Sequence, residues 1–288
     1  MTLEQAYQQG RQALRRVGVE SPSFDAVCLF ERAFGYDRQG LLLHGGEPAP
    51  EAARAAFEQS IRERAQGRPL QYILGEWTFL SLTLQVGEGV LIPREDTEVL
   101  VRTVAQRLPA DQPVTALDLC AGSGAVGLGL ASLCPNVTVT GVEWYDAALT
   151  YLQANLRRYP ALAVDWRQAD VLDPDTPRQF APVDAILSNP PYIESGELGG
   201  LQDEVQHEPR TALDGGADGL VFYRALARHW TAALKPGGIL AVEVGEGQAR
   251  AVQELFAQAG LTQLQAVPDF GGVERVVVGV WQAGQNRA

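Results

Sequence analysis

From Thr97 onward the chain alternates short apolar runs with amphipathic stretches, and that alternation confines it to one architecture. Helix is predicted over Glu98–Leu108, strand over Val114–Leu119, helix over Ala125–Leu133 and strand over Val137–Val142. Helix over Asp146–Arg158, strand over Ala163–Gln168 and strand over Val183–Leu187 come next. The series closes with helix Gly219–Leu234, strand Ile239–Val244 and helix Gln248–Ala259. Strands separated by helices form a parallel sheet, because a parallel pair needs a long crossover and an antiparallel pair does not. The last two strands, near Leu261–Val267 and Arg275–Val280, have no helix between them and are expected to form an antiparallel hairpin.

Residues 1 to about 70 have another character. Leu3, Ala6, Tyr7, Leu14 and Val17 share one helical face, and Thr2 with Gln5 makes a capping-box pattern. Phe24–Phe34 and Pro50–Ala65 also read as helices. Across Gln71–Val86 the aromatic and apolar residues Tyr72, Trp77, Phe79, Leu82, Leu84 and Val86 follow strand-like alternation, which predicts a hairpin. The expected organisation is a helical domain at 1–70, a hairpin linker at 71–93 and an α/β domain at 94–288.

At 288 residues and 46% hydrophobic content the chain has enough apolar material for a sizeable core. It contains no apolar run long enough for a membrane span, and Met1 to Gly18 lacks the apolar stretch of a secretory signal. Cys28, Cys120 and Cys134 have neither metal-ligand spacing nor an even count, so no metal site or disulfide framework is expected and a reducing cytoplasm is the simplest home. The net charge of -12 argues against broad nucleic-acid binding, which needs clustered cations to neutralise phosphates.

Two segments carry chemistry. Val114 to Gly127 reads as a strand, a glycine turn and a helix start, with Gly122, Gly124 and Gly127 in G-x-G-x-x-G spacing. Glycines admit close approach of a ligand, and the helix start offers free N–H groups. Glu143 ends the next strand, where its carboxylate can accept from both hydroxyls of a ribose. The turn by itself leaves a nicotinamide dinucleotide and S-adenosylmethionine as alternatives, beside a tight turn that binds nothing. Asp118, before the turn, is placed for the amino group of a methionyl moiety, and Asp170 for an adenine amino group, though an aspartate after a strand is also ordinary turn chemistry. Both placements favour S-adenosylmethionine.

The second segment is Asn189-Pro190-Pro191-Tyr192. Two consecutive prolines lack N–H donors and end the apolar strand Val183–Ser188. An amide then sits at the carboxyl end of a strand, where open α/β sheets bind ligands. An amide acceptor, a rigid carbonyl and an aromatic plate suit the gripping of a planar NH2 group. His207 is the nearest histidine in sequence, and a solvated loop position accounts for it better than a catalytic base.

At these residues the chain resembles class I S-adenosylmethionine-dependent methyltransferases, with a Rossmann-like sheet, that modify planar nitrogens. Gln71 to Phe79, Leu91 to Glu98, Glu208 to Leu213, Gly215 to Leu220, Leu234 to Gly238 and Glu243 to Gln248 narrow the resemblance to the release-factor glutamine methyltransferases, the PrmC/HemK family. The resemblance implies methyl transfer from S-adenosylmethionine to the N5 amide nitrogen of the glutamine in the Gly-Gly-Gln motif of class I peptide chain release factors. It makes 1–70 a substrate-recognition domain and 94–288 the methyltransferase domain. The catalytic set is then Asn189, Pro190 and Tyr192, and Pro191 joins them in holding substrate. The cofactor set is Asp118, Cys120, Ala121, Gly122, Ser123, Gly124, Glu143, Asp170, Val171 and Asn189. Cys120 and Ala121 depart from the family's usual Gly and Thr, Glu143 stands where many relatives have Asp, and Gly272 to Arg275 replaces a typical Gly-Arg-Asp-Arg.

Three rivals remain open on sequence: an N6-adenine DNA methyltransferase, an NAD-dependent oxidoreductase and a non-catalytic binding protein. The acid-rich loop after the motif, with Glu194, Glu197, Asp203, Glu204 and Glu208, is expected to frame a basic protein substrate, without nucleic acid or membrane as partner.

Overall fold

The computed structural model describes residues 1–282; the end of the expected 94–288 domain, residues 283–288, lies outside the described residues. The chain forms two compact units, one of Met1–Glu76 with Gln202–His207 and one of Trp77–Leu201 with Glu208 to the end.

The first unit is helical: α1 (Leu3–Arg16), α2 (Pro22–Phe34), α3 (Arg38–His44), α4 (Glu51–Ala65) and the short α5 (Leu70–Leu74). The capping box forms as the sequence predicts, with the Thr2 hydroxyl accepting from Gln5 N and the Gln5 side chain accepting from Thr2 N. The apolar stripes of α1, α2 and α4 meet around Phe30, whose ring contacts Tyr7 edge-on at 6.0 Å and Phe57 at 5.8 Å. Arg64 is buried here and bonded to two carboxylates, Asp25 (2.7 Å) and Glu204. Glu204 belongs to α9 (Asp203–Gln206), so the loop after the proline motif sends one turn of helix into this unit. α3 and α5 are too short to carry readable periodicity. The expected hairpin over Gln71–Val86 is shorter than predicted, because Gly75 in the left-handed region ends α5 before the first strand begins at Glu76.

The second unit begins with the hairpin β1 (Glu76–Phe79) and β2 (Leu82–Gln85), followed by α6 (Thr97–Ala105). Strands β3 (Val114–Leu119), β4 (Val137–Glu143), β5 (Val164–Gln168), β6 (Val183–Ser188), β7 (Leu234–Glu243), β8 (Leu261–Pro268) and β9 (Glu274–Trp281) form one sheet in the order β5-β4-β3-β6-β7-β9-β8. β9 runs antiparallel to β7 and β8; the remaining pairs are parallel. Helices α7 (Ala125–Leu133), α8 (Asp146–Arg158), α10 (Val221–His229) and α11 (Ala249–Gln258) connect them. One face of the sheet packs under Leu100, Val104, Val126 and Leu128 of α6 and α7. The other packs under Tyr223, Leu226, Val252 and Phe256 of α10 and α11. Both faces are covered, so β3 and β6 are buried along almost their whole length.

The largest boundary shifts from the sequence reading in this unit fall around α10 and β7. The predicted helix Gly219–Leu234 stops at His229 and tightens into a 3-10 turn, Trp230–Ala233, where the buried Trp230 indole donates to Val171 O at 2.9 Å. β7 starts at Leu234 and not at Ile239: Val183 pairs with Leu234 and Ala185 with Ile239. The residues between them, including Pro236 without an N–H, bulge from the ladder.

The order places the site. β3, β4 and β5 extend one way from the centre and β6 and β7 the other, so the connections diverge between β3 and β6. Such a point opens a crevice at the carboxyl ends of the two strands. The last paired residues there are Leu119 and Ser188, and the Ser188 hydroxyl ties the strands by donating to Leu119 O at 2.7 Å.

Candidate active site

A cleft with about 1040 Å³ of empty space, part of it open to solvent, lies at this divergence point. It brings together most of the residues the sequence singles out. Cys120, Ala121, Gly122 and Ser123 line it from the glycine turn, Glu143 from the end of β4, Asp170 and Val171 from beyond β5, and Asn189 and Pro191 from beyond β6.

The turn is held from two sides. Glu143 accepts from Gly122 N at 2.9 Å with one oxygen, and from Trp144 N (2.8 Å) and Tyr145 N (2.9 Å) with the other. Asp118 accepts from Gly127 N at 2.8 Å. Asp118 does not line the cleft: it is 1% exposed and sits beneath the turn, with Oδ1 left without a hydrogen-bond partner among the described residues. Burial raises its pKa to about 7, against the Gly127 N–H and with the Glu143 charge adding to the rise. Gly124 is the left-handed N-cap of α7 and lies behind the lining as well.

Cys120 has φ of 61°. That is a conformation glycine adopts freely and L-residues resist, so the departure from the family's usual glycine stores local strain. Burial pushes the Cys120 thiol far above its ordinary range, which favours the neutral thiol over the nucleophilic thiolate. Asp170 lines the cleft, and its Oδ1 accepts from Leu172 N at 2.8 Å in a local turn.

At the other end of the cleft the Asn189 amide donates from Nδ2 to Thr97 Oγ1 at 3.1 Å. The carboxamide is therefore oriented by its neighbour, and Oδ1 is the end Thr97 does not hold. Pro190 is buried and does not line the cleft. Tyr192 does not line it either. Its ring joins the core under α10 and α11, and its hydroxyl donates to Glu243 Oε1 at 3.3 Å. The motif's path is fixed by close backbone packing: a Cβ at Gly215 would meet Tyr192 Cα at 2.7 Å and Pro191 O at 2.9 Å, so no side chain fits there.

The sequence reading missed several lining residues. Thr97 starts α6 within the quoted segment Leu91 to Glu98, but only its contact with Asn189 identifies it. Trp144 and Tyr145, 51% and 44% exposed, form an aromatic rim. The acidic frame is also smaller than expected. Glu208 is buried, accepting from Ile92 N at 2.9 Å and paired with Arg94, and Glu204 is engaged by Arg64. Glu194, Glu197 and Asp203 remain exposed, as does His207.

Residues 5–75 match the family model of the PrmC N-terminal domain, and residues 95–229 match the methyltransferase small domain. A release factor glutamine methyltransferase of Moorella thermoacetica is 41% identical over 277 residues, covering 96% of this chain and 97% of its own. The chain belongs to the release factor glutamine methyltransferase family. A second such enzyme, from Geobacter sulfurreducens, is 39% identical and covers 92% of each chain. In fold the chain is similar to a 16S rRNA N2 methyltransferase from T. thermophilus solved with AdoMet and guanosine, at 21% identity and a TM-score of 0.50, over 72% of this chain and 50% of that one.

Membership in a release factor glutamine methyltransferase family decides between the two nucleotides that the glycine turn leaves open, in favour of S-adenosylmethionine. The donor set fits that cofactor. Two carboxylates, Glu143 and Asp170, border the cleft where hydroxyls and an amino group need acceptors, and Val90, Val126, Val142 and Phe222 supply apolar wall.

Proposed function

We propose that this chain is a protein-(glutamine-N5) methyltransferase acting on the Gly-Gly-Gln glutamine of class I peptide chain release factors. The observation that carries the site assignment is Asn189: it lines the cleft at the divergence point with its NH2 end held by Thr97. S-adenosylmethionine, when bound, supplies an electrophilic methyl group on a sulfonium. Cys120 to Ser123, Glu143, Asp170 and Val171 would hold it, with Asp118 and Gly124 acting from behind by fixing the turn.

An amide nitrogen is a poor nucleophile because its lone pair is delocalised into the carbonyl. Two acceptors, one for each N–H, orient that lone pair. Asn189 Oδ1 and the Pro190 carbonyl take those roles, and Pro191 forms part of the wall. Positioning of this kind can contribute about 7–11 kcal/mol in favourable systems. The same acceptors strengthen as positive charge grows on nitrogen, so they favour the transition state over the ground state. No proton has to leave before attack, and the site needs no strong base. Tyr192, expected to lie on the amide plane, serves from the core side, where its bond to Glu243 stiffens the motif.

The helical unit serves recognition of a folded protein, and Glu194 and Glu197 of the second unit meet a basic segment of the substrate. Nucleic acid and membrane have no part in this reading, and no helix among the described residues is long and apolar enough to cross a membrane. The cytoplasm, where translation termination occurs, is the proposed location. Incubating full-length release factor with enzyme and S-adenosylmethionine should add one methyl mass to the Gly-Gly-Gln glutamine by tandem mass spectrometry. A free Gly-Gly-Gln peptide should be methylated at least about tenfold less efficiently, a loss of ~1.4 kcal/mol of binding. Methyl on another residue would refute the reading, and equal efficiency would remove the recognition role of the helical unit.

A further inference from the structure

We infer that Glu243 is a positioning residue for methyl transfer: its ionised carboxylate holds Thr97 and Tyr192 so that Asn189 keeps its oxygen available to the substrate amide. This rests on the role proposed for Asn189.

Position comes first. The last pair between β6 and β7 is Ser188 with Val242, so Asn189 and Glu243 are the next residues on adjacent strands. Glu243 is 2% exposed. Its Oε1 accepts from the Tyr192 hydroxyl, and its backbone carbonyl accepts from the buried Tyr223 hydroxyl at 2.9 Å. Oε2 is buried without a hydrogen-bond partner among the described residues. A buried carboxyl left half-satisfied is costly, and such groups are retained for what they do.

Chemistry gives the role. The Thr97 hydroxyl accepts from Asn189 Nδ2 and has one hydrogen to donate, and in this inference its acceptor is the unpartnered Oε2 of Glu243, on the strand beside Asn189. An ionised Glu243 is an acceptor only. It draws the Thr97 proton, makes Oγ1 a stronger acceptor for the Asn189 amide and so enriches Oδ1 in negative charge, by the polarisation that runs along hydrogen-bond chains. A protonated Glu243 is itself a donor. It competes with Asn189 for Oγ1, and the amide loses the contact that fixes its orientation.

The groups facing Glu243 are Thr97 and Asp96 at the start of α6, Tyr192 beyond β6, Tyr223 on α10 and Arg275 on β9. Burial raises its pKa to about 7; the Thr97 and Tyr192 hydroxyls and the Arg275 charge oppose the rise, and Asp96 adds to it. The competent, ionised form therefore accumulates as pH rises through about 7. Stability has the opposite sign. The folded state holds this proton more tightly than the unfolded chain, so ionisation of Glu243 costs stability as pH climbs from the ordinary carboxylate range through about 7.

The test is the single-turnover rate of release factor methylation at saturating S-adenosylmethionine, from pH 5.5 to 9, for wild type and Glu243→Gln. Wild type should show a rate rising through pH ~7 to a plateau. Glu243→Gln should lose that rise and run about tenfold below the wild-type plateau, with S-adenosylmethionine affinity unchanged and with thermal stability at pH 8 equal to or above wild type. Thr97→Val, which cuts the link and leaves the carboxyl in place, should lower the plateau rate similarly. Retention of either the acidic limb or the wild-type plateau rate in Glu243→Gln would overturn the inference. Absence of glutamine methylation by wild type at every pH would instead defeat the functional reading beneath it.

Discussion

Asn189→Ala should lower the rate of methyl transfer by roughly 100- to 1000-fold, the range measured when one preorganised hydrogen-bond partner of a developing charge is removed. The substitution deletes Oδ1, one of the two proposed acceptors for the substrate amide, and also the Nδ2 that bonds Thr97. Without Oδ1 the glutamine amide keeps one anchor and is free to rotate its lone pair away from the reacting carbon. The backbone path does not depend on this side chain. It is set by Pro190 and Pro191, by the close packing of Gly215 on Tyr192, and by the Gln248 side chain donating to Tyr192 O at 2.9 Å. Affinity for S-adenosylmethionine should therefore stay within about threefold, under ~0.7 kcal/mol. Calorimetric titration of the cofactor beside single-turnover kinetics separates the two effects. A variant with the wild-type rate would remove Asn189 from the mechanism.

Glu143→Ala should do the reverse. Its carboxylate serves three backbone N–H groups, on Gly122, Trp144 and Tyr145, and it borders the cleft. Truncation leaves the turn without its brace and takes away the proposed ribose acceptor. Hydrogen bonds to a charged group contribute about 1.5–3 kcal/mol each in net terms. A loss of ~2.7 kcal/mol in cofactor binding, about 100-fold in Kd, is the expected result. At saturating S-adenosylmethionine the rate should recover to within about fivefold of wild type, since uniform binding and not transition-state binding has been removed. An unchanged Kd would place the cofactor away from Glu143.

The alternation of strand and helix was enough to read the parallel sheet, because a doubly covered strand such as β6 keeps a run of apolar residues, Ala185 to Leu187, at its centre. The glycine turn and the proline motif were legible for local reasons: left-handed glycines and an interrupted strand each leave a mark within a few residues. What stayed hidden depends on contacts between distant parts of the chain. Thr97 and Asn189 are 92 residues apart and neither predicts the other. Asp118 looked like a ligand-facing carboxylate because it precedes the turn, but its side chain points beneath that turn to Gly127 N. The acids after the motif read as one solvated frame, yet Glu208 is buried against Ile92 and Arg94. Sequence spacing shows which residues lie near a strand end; it does not show which side of the turn each carboxylate takes.

The proposed mechanism depends on an acceptor clamp that orients a glutamine amide beside the cofactor. A crystal structure of this protein with S-adenosylhomocysteine and a Gly-Gly-Gln peptide tests it most directly. The glutamine nitrogen should lie within hydrogen-bond distance of both Asn189 Oδ1 and the Pro190 carbonyl, with its open face toward the cofactor sulfur. A glutamine amide bound elsewhere, or an Asn189 side chain turned away from it, would contradict the account.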